Sequence, residues 1–230
     1  AKLSFGFSTL TVYPDADPET TSVDGYVGRL STPGTWSSIR DGAGDNTNPS
    51  GNEQRFAAIK TTATANQWDF FFRAIYLFDT SAIPDTDIIS SADFSIYITS
   101  KTDNFTQSVS LVQATPASNT DLVIADFSQV GTTQQASDIT IAGVTTSAYN
   151  AWALNATGLT NISKTGVSKF GTRTSGDRTN TEPSWISVNV SEVWGSFADE
   201  VGTTQDPKLV VTYTVSSISS SISSSVSSSP

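Results

Sequence analysis

The chain has 230 residues, with 12 Lys and Arg against 22 Asp and Glu, and it contains neither histidine nor cysteine. The missing cysteine excludes disulfides and thiolate metal sites, and the missing histidine removes the commonest general base and the commonest zinc ligand. A net charge of −10 without any basic block argues against nucleic acid and anionic membranes as partners, and no apolar run has the roughly 20 residues of a membrane span.

Alternation of apolar and polar residues predicts strands along most of the chain, separated by clusters of Gly, Pro, Asn and Asp. The first predicted strand, LSFGFSTLTVY, has Leu3, Phe5 and Phe7 on one face. The segment DFFFRAIYLFD, which contains Arg73, is apolar on both faces, as is typical of a strand in the middle of a sandwich. The later predicted strands are ADFSIYITS, with Phe94, Ile96 and Ile98 inward, then SVSLVQAT, DITIAGV, WISVNVSEV and PKLVVTYTV.

Helical signal is confined to ATGLTNISKTG, where we expect Thr157 as the N-cap and Gly166 as the C-terminal stop. Strands do not alternate with helices, which argues against a parallel, doubly wound sheet. We therefore predict an all-β fold, an antiparallel β-sandwich of jelly-roll type with at most short helical turns. The composition changes near Ser216, so we predict one domain over residues 1–215, with residues 1–12 as a donor or edge strand, and a Ser-rich tail over residues 216–230.

Four stretches carry a resemblance to a known family: YPDADPETTSVDGYV, FRAIYLFDTSAIPDTDIISSADFSIY, WALNATGLTNISKTGVSKFGTR and DPKLVVTYT. They resemble the DNRLRE-type domain, a β-sandwich module of secreted and surface proteins that is also grouped with carbohydrate-binding modules. Together they cover most of residues 12–214. The sequence is also similar to environmental and phage-derived proteins. The resemblance implies a jelly-roll-like sandwich that has a binding or structural role and does not catalyse a reaction.

The residues that the chain lacks argue against catalysis. A nucleophilic Ser or Thr needs a neighbouring base, and without histidine only lysine or a carboxylate remains. No lysine stands in a Ser-x-x-Lys arrangement on a predicted helix. Carboxylates such as Asp79 and Asp85 lie in turn-rich loops, where Asp usually serves the turn rather than glycoside hydrolysis. We predict that the protein is not an enzyme.

Two loops present acidic side chains at alternating positions, as calcium loops do. YPDADPETT offers Asp15 and Asp17, and DGAGDNTNPSGNE offers Asp41 and Asp45. Counted from Asn46, the twelfth place of an EF-hand loop, where a Glu is needed, is occupied by Ala57. We predict no cofactor other than a structural Ca²⁺ at these aspartates, with ordinary loop chemistry as the alternative explanation.

Tryptophan and arginine positions suggest two further roles. Trp36, in TPGTWSS, and Trp185, on the face opposite Ile186 in its predicted strand, are the candidates for glycan binding. Core or interface packing is nevertheless the favoured interpretation for both rings, because aromatic side chains contribute much of the buried area of a sandwich. Arg73 lies in the most apolar predicted strand, so we predict structural pairing with a carboxylate or with carbonyl groups.

Modification sites are plentiful in this Ser- and Thr-rich chain. N-glycosylation sequons begin at Asn104, Asn155, Asn161 and Asn189, whereas Pro49 blocks a fifth one. We expect glycans at some of these sites in a secreted archaeal or eukaryotic protein and none in a bacterial or phage protein. The Ser-rich tail is a candidate for O-glycosylation.

The tail SSISSSISSSVSSSP places Ile218, Ile222 and Val226 four residues apart, which in a strand puts all three on one face. With Phe5 and Phe7 at the other end, these residues are the candidate assembly contacts. The leading hypothesis is a non-enzymatic structural subunit of an extracellular filament, sheath or virion, a head-to-tail homopolymer built through extended terminal strands. The alternative is a carbohydrate-binding or adhesion module at the cell surface, tethered by a Ser-rich linker and bound to glycans.

Overall fold

The computed structural model describes residues 2–30 and 33–219, in which strands dominate over helices. The predicted all-β fold is confirmed, since 48% of the chain is strand and 12% is helix, and the pairings among the described strands are antiparallel. The strands are β1 Lys2–Val12, β2 Asp24–Arg29, β3 Asn46–Asn48, β4 Glu53–Thr61, β5 Trp68–Asp79, β6 Ile88–Asp103, β7 Ser108–Ala114, β8 Val130–Gln134, β9 Ile139–Thr140, β10 Ala148–Ala153, β11 Val167–Thr174, β12 Val190–Ser196 and β13 Lys208–Ser219. The helices are α1 Trp36–Arg40, α2 Ala156–Thr160, α3 Ser175–Thr179 and the 3₁₀ segments Ile124–Gln129 and Ile141–Gly143.

The long strand β5 is shared between two parts of the sheet. Phe72 pairs with both β2 and β4, whereas Ala74 pairs with both β2 and β11. Because a strand has only two edges, β4 and β11 follow one another along the same edge of β5. The sheet therefore divides between Arg73 and Ala74. β6 repeats this arrangement, with β13 beside its first half, β12 beside its second half and β10 on the opposite edge.

The side chains of β5 enter separate hydrophobic clusters on its two faces, as its double apolar pattern predicts. The main core takes Ala74, Tyr76 and Phe78, the second core takes Phe71, Ile75 and Leu77, and a smaller cluster takes Phe70 and Phe72. The main core also contains the predicted inward residues of β6, which are Phe94, Ile96 and Ile98. α1 covers the second core through Trp36 and Ile39. Since β5 contributes to every cluster, it ties the cores together.

Two predicted strands are much shorter than the sequence pattern indicates. WISVNVSEV becomes a strand only at Val190, and residues 185–189 form a loop in which Val188 has a φ of 49°. A left-handed residue cannot continue a strand. Thr61 holds this loop, because its hydroxyl donates to the Ile186 carbonyl and accepts from the Asn189 amide. In DITIAGV, only β9 is a strand, and it continues into a 3₁₀ segment.

The predicted helix begins two residues earlier than expected and is shorter. Its N-cap is Asn155 rather than Thr157, because the Asn155 Oδ1 accepts a hydrogen bond of 2.9 Å from the Gly158 amide. The helix then ends at Thr160, with Asn161 as its C-cap, well before Gly166. Asn is as good an N-cap as Asp or Ser and better than Thr, which explains the choice.

Candidate functional site

The two ends of the described chain form one antiparallel ribbon at the edge of the sheet. β1 pairs with β13 from Val12↔Leu209 to Lys2↔Ser219, and no other described strand pairs with β1. On its other side, β13 pairs with β6 only as far as Thr214↔Ile88. The five outer pairs therefore project beyond β6 as a two-stranded element, residues 2–6 and 215–219, which we call the terminal ribbon.

The terminal ribbon revises how the predicted assembly contacts are arranged. We expected the N-terminal segment and the Ser-rich tail to act as two separate strands, but the start of the tail pairs with β1, where Ile218 stands opposite Leu3. Lys2–Val12, within the predicted donor or edge segment 1–12, thus supplies an edge strand of the chain's own sheet. The side chains of Phe5 and Ile218, and the whole of Ile222 and Val226, lie outside the part of the chain that the structure describes.

The free edge of β1 lacks the features that usually prevent edge pairing. Residues 3–12 include no charged residue and no proline, both of which protein sheets use to block association. Phe7 on β1 is 74% exposed, and Ile88, two strands away on β6, is 69% exposed; both pair with Thr214 of β13, so they share one sheet face. An apolar patch beside an open backbone edge is suited to pairing with another chain.

The two tryptophans predicted as glycan candidates line the same open cavity, which has a volume of about 450 Å³ and also includes Asn66 and Glu182. Trp36 is only 5% exposed, because its ring packs edge-on against Trp68 in the second core. The Trp36 ring is therefore not available for sugar stacking, and core packing, the favoured interpretation, is the reason. Its contribution to the cavity is the small part of the ring that stays uncovered.

Trp185 keeps part of its ring accessible at this cavity. It is half-buried, and its Nε1 donates to the Gln67 carbonyl at 3.3 Å, which fixes the ring in the loop before β12. Glu182 is held in the same cavity wall by the Trp68 Nε1, which donates to its Oε1 at 2.8 Å. The cavity thus combines one accessible indole with amide, hydroxyl and carboxylate groups, a lining that can both stack on and hydrogen-bond a polar ligand.

The first predicted calcium loop is organised by its own hydrogen bonds. The Asp15 Oδ2 accepts from the backbone amides of Thr20 at 2.9 Å and Thr21 at 2.6 Å. Burial alone would raise the pKa of Asp15, but these donors hold it below its ordinary value. Asp17 contributes its backbone amide to the Asp199 carboxylate at 2.8 Å. The loop chemistry proposed as the alternative explanation accounts for both residues.

The second predicted calcium loop likewise uses its carboxylates locally. Asp41 pairs with Arg40 at 2.5 Å, and the Asp45 Oδ1 accepts from the Leu30 amide at 2.7 Å. Within residues 2–30 and 33–219, no three His, Cys, Asp or Glu side chains form a group that could hold a metal ion. The structure therefore does not assemble Asp15, Asp17, Asp41 and Asp45 into a ligand set.

The four sequon asparagines differ in how far their side chains serve the fold. Asn104 is exposed, whereas Asn155 is the N-cap of α2. The Asn161 amide donates to the Lys169 carbonyl at 2.9 Å, and the half-buried Asn189 donates to the Ser187 carbonyl at 3.4 Å. Attachment of a glycan replaces one amide hydrogen and needs open space, so Asn104 is the most suitable of the four.

The prediction that Arg73 is paired inside the fold is confirmed. Its Nε and Nη2 donate to the two carboxylate oxygens of Asp177 in α3, both at 2.8 Å. Asp177 also pairs with Arg173 at 3.1 Å and with Arg40 at 3.6 Å. Burial would raise the pKa of Asp177, but Arg73 and Arg173 hold it below its ordinary value. We call Arg40, Arg73 and Arg173 the arginine cluster.

A group of carboxylates around the start of β2 was not predicted. Asp24 is fully buried, and its oxygens accept from the Ala198 amide at 3.1 and 3.4 Å. Burial, and then repulsion from Asp199 and Asp206, raises the pKa of Asp24 well above its ordinary value. Burial, and then Glu200 and Asp199, raises the pKa of Asp206 to about 7. Burial and mutual repulsion therefore disfavour ionisation of both Asp24 and Asp206, and Asp206 ionises near neutral pH.

Neither the arginine cluster with Asp177 nor the carboxylate group around Asp24 could be predicted from the sequence, because their members lie far apart in the chain. Arg73 and Asp177 are 104 residues apart, and Asp24 and Ala198 are 174 residues apart. Asp206 stands before a proline in TTQDPK, where it resembles an ordinary turn residue. The one local signal was Arg173, which stands four residues before Asp177.

The described helices are short, and none combines the length and the apolar composition needed to cross a membrane. The resemblance to the DNRLRE-type domain stays a prediction. No protein-family model matches the chain, and no curated protein matches it either.

Proposed function

We propose that the protein is a non-enzymatic structural subunit of an extracellular filament, sheath or virion that assembles with copies of itself. The observation that carries the proposal is the terminal ribbon, which projects beyond β6 and continues along the edge of β1 that no described strand pairs with and that has no charged residue after Lys2. A strand from a neighbouring subunit can add to such an edge by backbone hydrogen bonds. The low fraction of charged residues, 15%, suits a surface outside the cell.

The energetics of the ribbon favour a partner. A two-stranded element is at best marginally stable in water, whereas three or more strands with an apolar face are stable. Burial of Phe7 or Ile88, which are now exposed, would contribute about 1.5–3 kcal/mol each. Contact between the ribbon of one subunit and a different surface of the next is heterologous, and it produces a filament when the rotation between subunits does not close into a ring.

The test compares Phe7→Asp with Val201→Asp. Phe7 lies beside the free edge, whereas Val201 is an 88% exposed apolar residue in the loop between β12 and β13. We expect Phe7→Asp to abolish or strongly reduce assembly, because it places a charge in the proposed interface, and Val201→Asp to assemble like the parent protein. Light scattering and negative-stain microscopy measure the outcome.

A truncation after Val215 provides a second, independent test. It removes one strand of the terminal ribbon but keeps Leu209 and Val211, which are buried in the main core, so the domain is expected to stay folded. Assembly should be impaired. A parent protein that stays strictly monomeric at high concentration, or a Phe7→Asp variant that assembles as well as Val201→Asp, would contradict the proposal.

A carbohydrate-binding or adhesion module is the second candidate function, supported by the cavity in which Trp185 is accessible beside Glu182 and Asn66. If this function is correct, a glycan array identifies a ligand. Trp185→Ala should then lower the affinity for that glycan by at least about tenfold, as the loss of a central aromatic contact does. Ile186→Ala, at the exposed neighbouring residue, is the matched control and should bind normally. An array without any bound glycan removes this candidate.

A further inference from the structure

Three of the six arginines of the chain line one cavity. The cavity has a volume of about 340 Å³, and the arginine cluster of Arg40, Arg73 and Arg173 forms its charged floor. Ser128 and Thr132 also line the cavity and are both exposed, whereas Arg73 and Arg173 are buried, at 1% and 5% exposure. The three guanidinium groups come from α1, β5 and β11 and therefore reach the cavity from three separate elements.

The positive charge of the arginine cluster exceeds the negative charge that faces it. Asp177 is shared by all three arginines. The other carboxylate at the cavity, Asp41, pairs with Arg40, but its side chain is 54% exposed and is therefore partly screened by water. One positive charge stays in excess at this cavity, although the chain as a whole carries a net charge of −10.

Arg173 has a buried donor that nothing within the described chain accepts. Its Nη1 donates to Asp177 and its Nη2 to the Val130 carbonyl, but its Nε is buried without a hydrogen-bond partner. A buried donor left unpaired is costly, more so when it belongs to a charged group. Burial, against the opposing effect of Asp177, lowers the pKa of Arg173 to about 10, so the residue stays cationic at neutral pH.

We propose that this cavity binds a tetrahedral oxyanion, a sulfate or phosphate group carried by a small molecule or by a polymer. Guanidinium groups bind such groups through charge-assisted N–H···O bonds, and the hydroxyl of Thr132 can add a neutral donor, whereas the Ser128 hydroxyl already donates to the Ala125 carbonyl. The nitrogens of Arg73 already donate to Asp177 and to the Phe127 and Arg40 carbonyls, so the donors for a ligand are the unpaired Nε of Arg173 and the guanidinium group of Arg40. Donors from two separate elements match oxygens that point in different directions better than the two coplanar oxygens of a carboxylate. The cavity shares no residue with the terminal ribbon or with the Trp185 cavity, so the proposal is independent of both functions above.

The test is calorimetric titration of the full chain with sodium sulfate and with sodium phosphate, at an ionic strength held constant with sodium chloride. Direct binding is measured because sulfate and phosphate stabilise most proteins without a specific site. We expect saturable binding at one site. Arg40→Gln should weaken it by about tenfold, the factor expected for one charge-assisted hydrogen bond. Asp41→Asn should strengthen it by about two- to fivefold, because it removes the competing carboxylate at the rim.

Lys60→Gln is the matched control, since it removes one positive charge from a pair with Asp69 that lies outside the cavity. It should leave the affinity unchanged. Absence of saturable binding to both anions would overturn the proposal, as would equal losses in Arg40→Gln and Lys60→Gln. Acetate that binds as tightly as sulfate would overturn the assignment to a tetrahedral group. The Asp41→Asn variant keeps the test valid even if Arg40→Gln folds poorly.

Discussion

Asp177→Asn is expected to lower the free energy of unfolding by about 3–5 kcal/mol, the usual cost of removing one partner of a buried ion pair. Asp177 is buried and shared by Arg73, Arg173 and Arg40, so its loss leaves three guanidinium groups without the carboxylate that compensates them. In a domain of this size the loss corresponds to a decrease in Tm of roughly 6–20 °C. Urea denaturation at neutral pH and calorimetry measure the two quantities.

Asp69→Asn is the control for this prediction. Asp69 pairs with Lys60 at 2.8 Å, but both side chains are about one-third exposed, and such surface pairs contribute at most about 1 kcal/mol. The two variants remove the same charge from pairs of similar length, so the comparison isolates the effect of burial. An Asp177→Asn protein that is as stable as Asp69→Asn would show that the arginine cluster does not depend on this carboxylate.

The second large effect is a loss of stability as the pH rises from about 4 to about 7. The folded-state pKa of Asp206 is raised to about 7, and that of Asp24 is raised well above its ordinary value. The unfolded state releases these protons near pH 3.9, so the folded state binds more protons throughout the interval. The stabilising contribution of Asp206 is therefore complete below about pH 4 and is lost by about pH 7, with a slope of up to about 1.4 kcal/mol per pH unit, and the raised pKa of Asp24 acts in the same direction.

Urea denaturation between pH 4 and pH 8, in buffers with EDTA, tests this prediction. Asp206→Asn should flatten the slope and be more stable than the parent protein at the upper end, because the amide carries no charge to repel Glu200 and Asp199. Asp85→Asn, at an exposed turn residue, should keep the full slope. The lowered pKa of Asp177 acts in the opposite direction, but only as the pH falls below about 4. A parent protein that gains stability from pH 4 to pH 7 would contradict the prediction.

The sequence predicts the strands whose pattern is strong over a local stretch. β5 and the inward residues of β6 follow directly from their runs of apolar residues, because burial on one or both faces leaves a period of two. β4 and β11 were not singled out, although both lie centrally in the sheet. Polar residues such as Lys60 and Lys169 interrupt their pattern, and burial of polar Thr172 against the Phe56 carbonyl has no hydrophobic signature.

Contacts between distant segments explain what the sequence does not predict about the candidate sites. Trp185 was expected on a strand, but Thr61, more than 100 residues earlier, holds its segment as a loop. Trp36 was a candidate for glycan binding, and its burial depends on its contact with Trp68. Periodicity reports which face of an element is apolar, but it does not report which element covers that face. The two candidate tryptophans, which the sequence did not place together, line one cavity.

The pairing of β1 with β13 also determines how the molecule responds to mechanical force. Lys2 and Ser219 stand opposite each other at the outer end of the strand pair, and the hydrogen bonds of an antiparallel pair run perpendicular to the strands. A pull that separates these two residues therefore opens the 11 residue pairs one after another, at low force. A pull along β1 against the anchored body loads all 11 pairs together in shear. A neighbouring subunit that pairs along the length of β1 would therefore resist tension directed along the strand. A force perpendicular to the strands, applied at Lys2 and Ser219, would instead separate the ribbon one residue pair at a time.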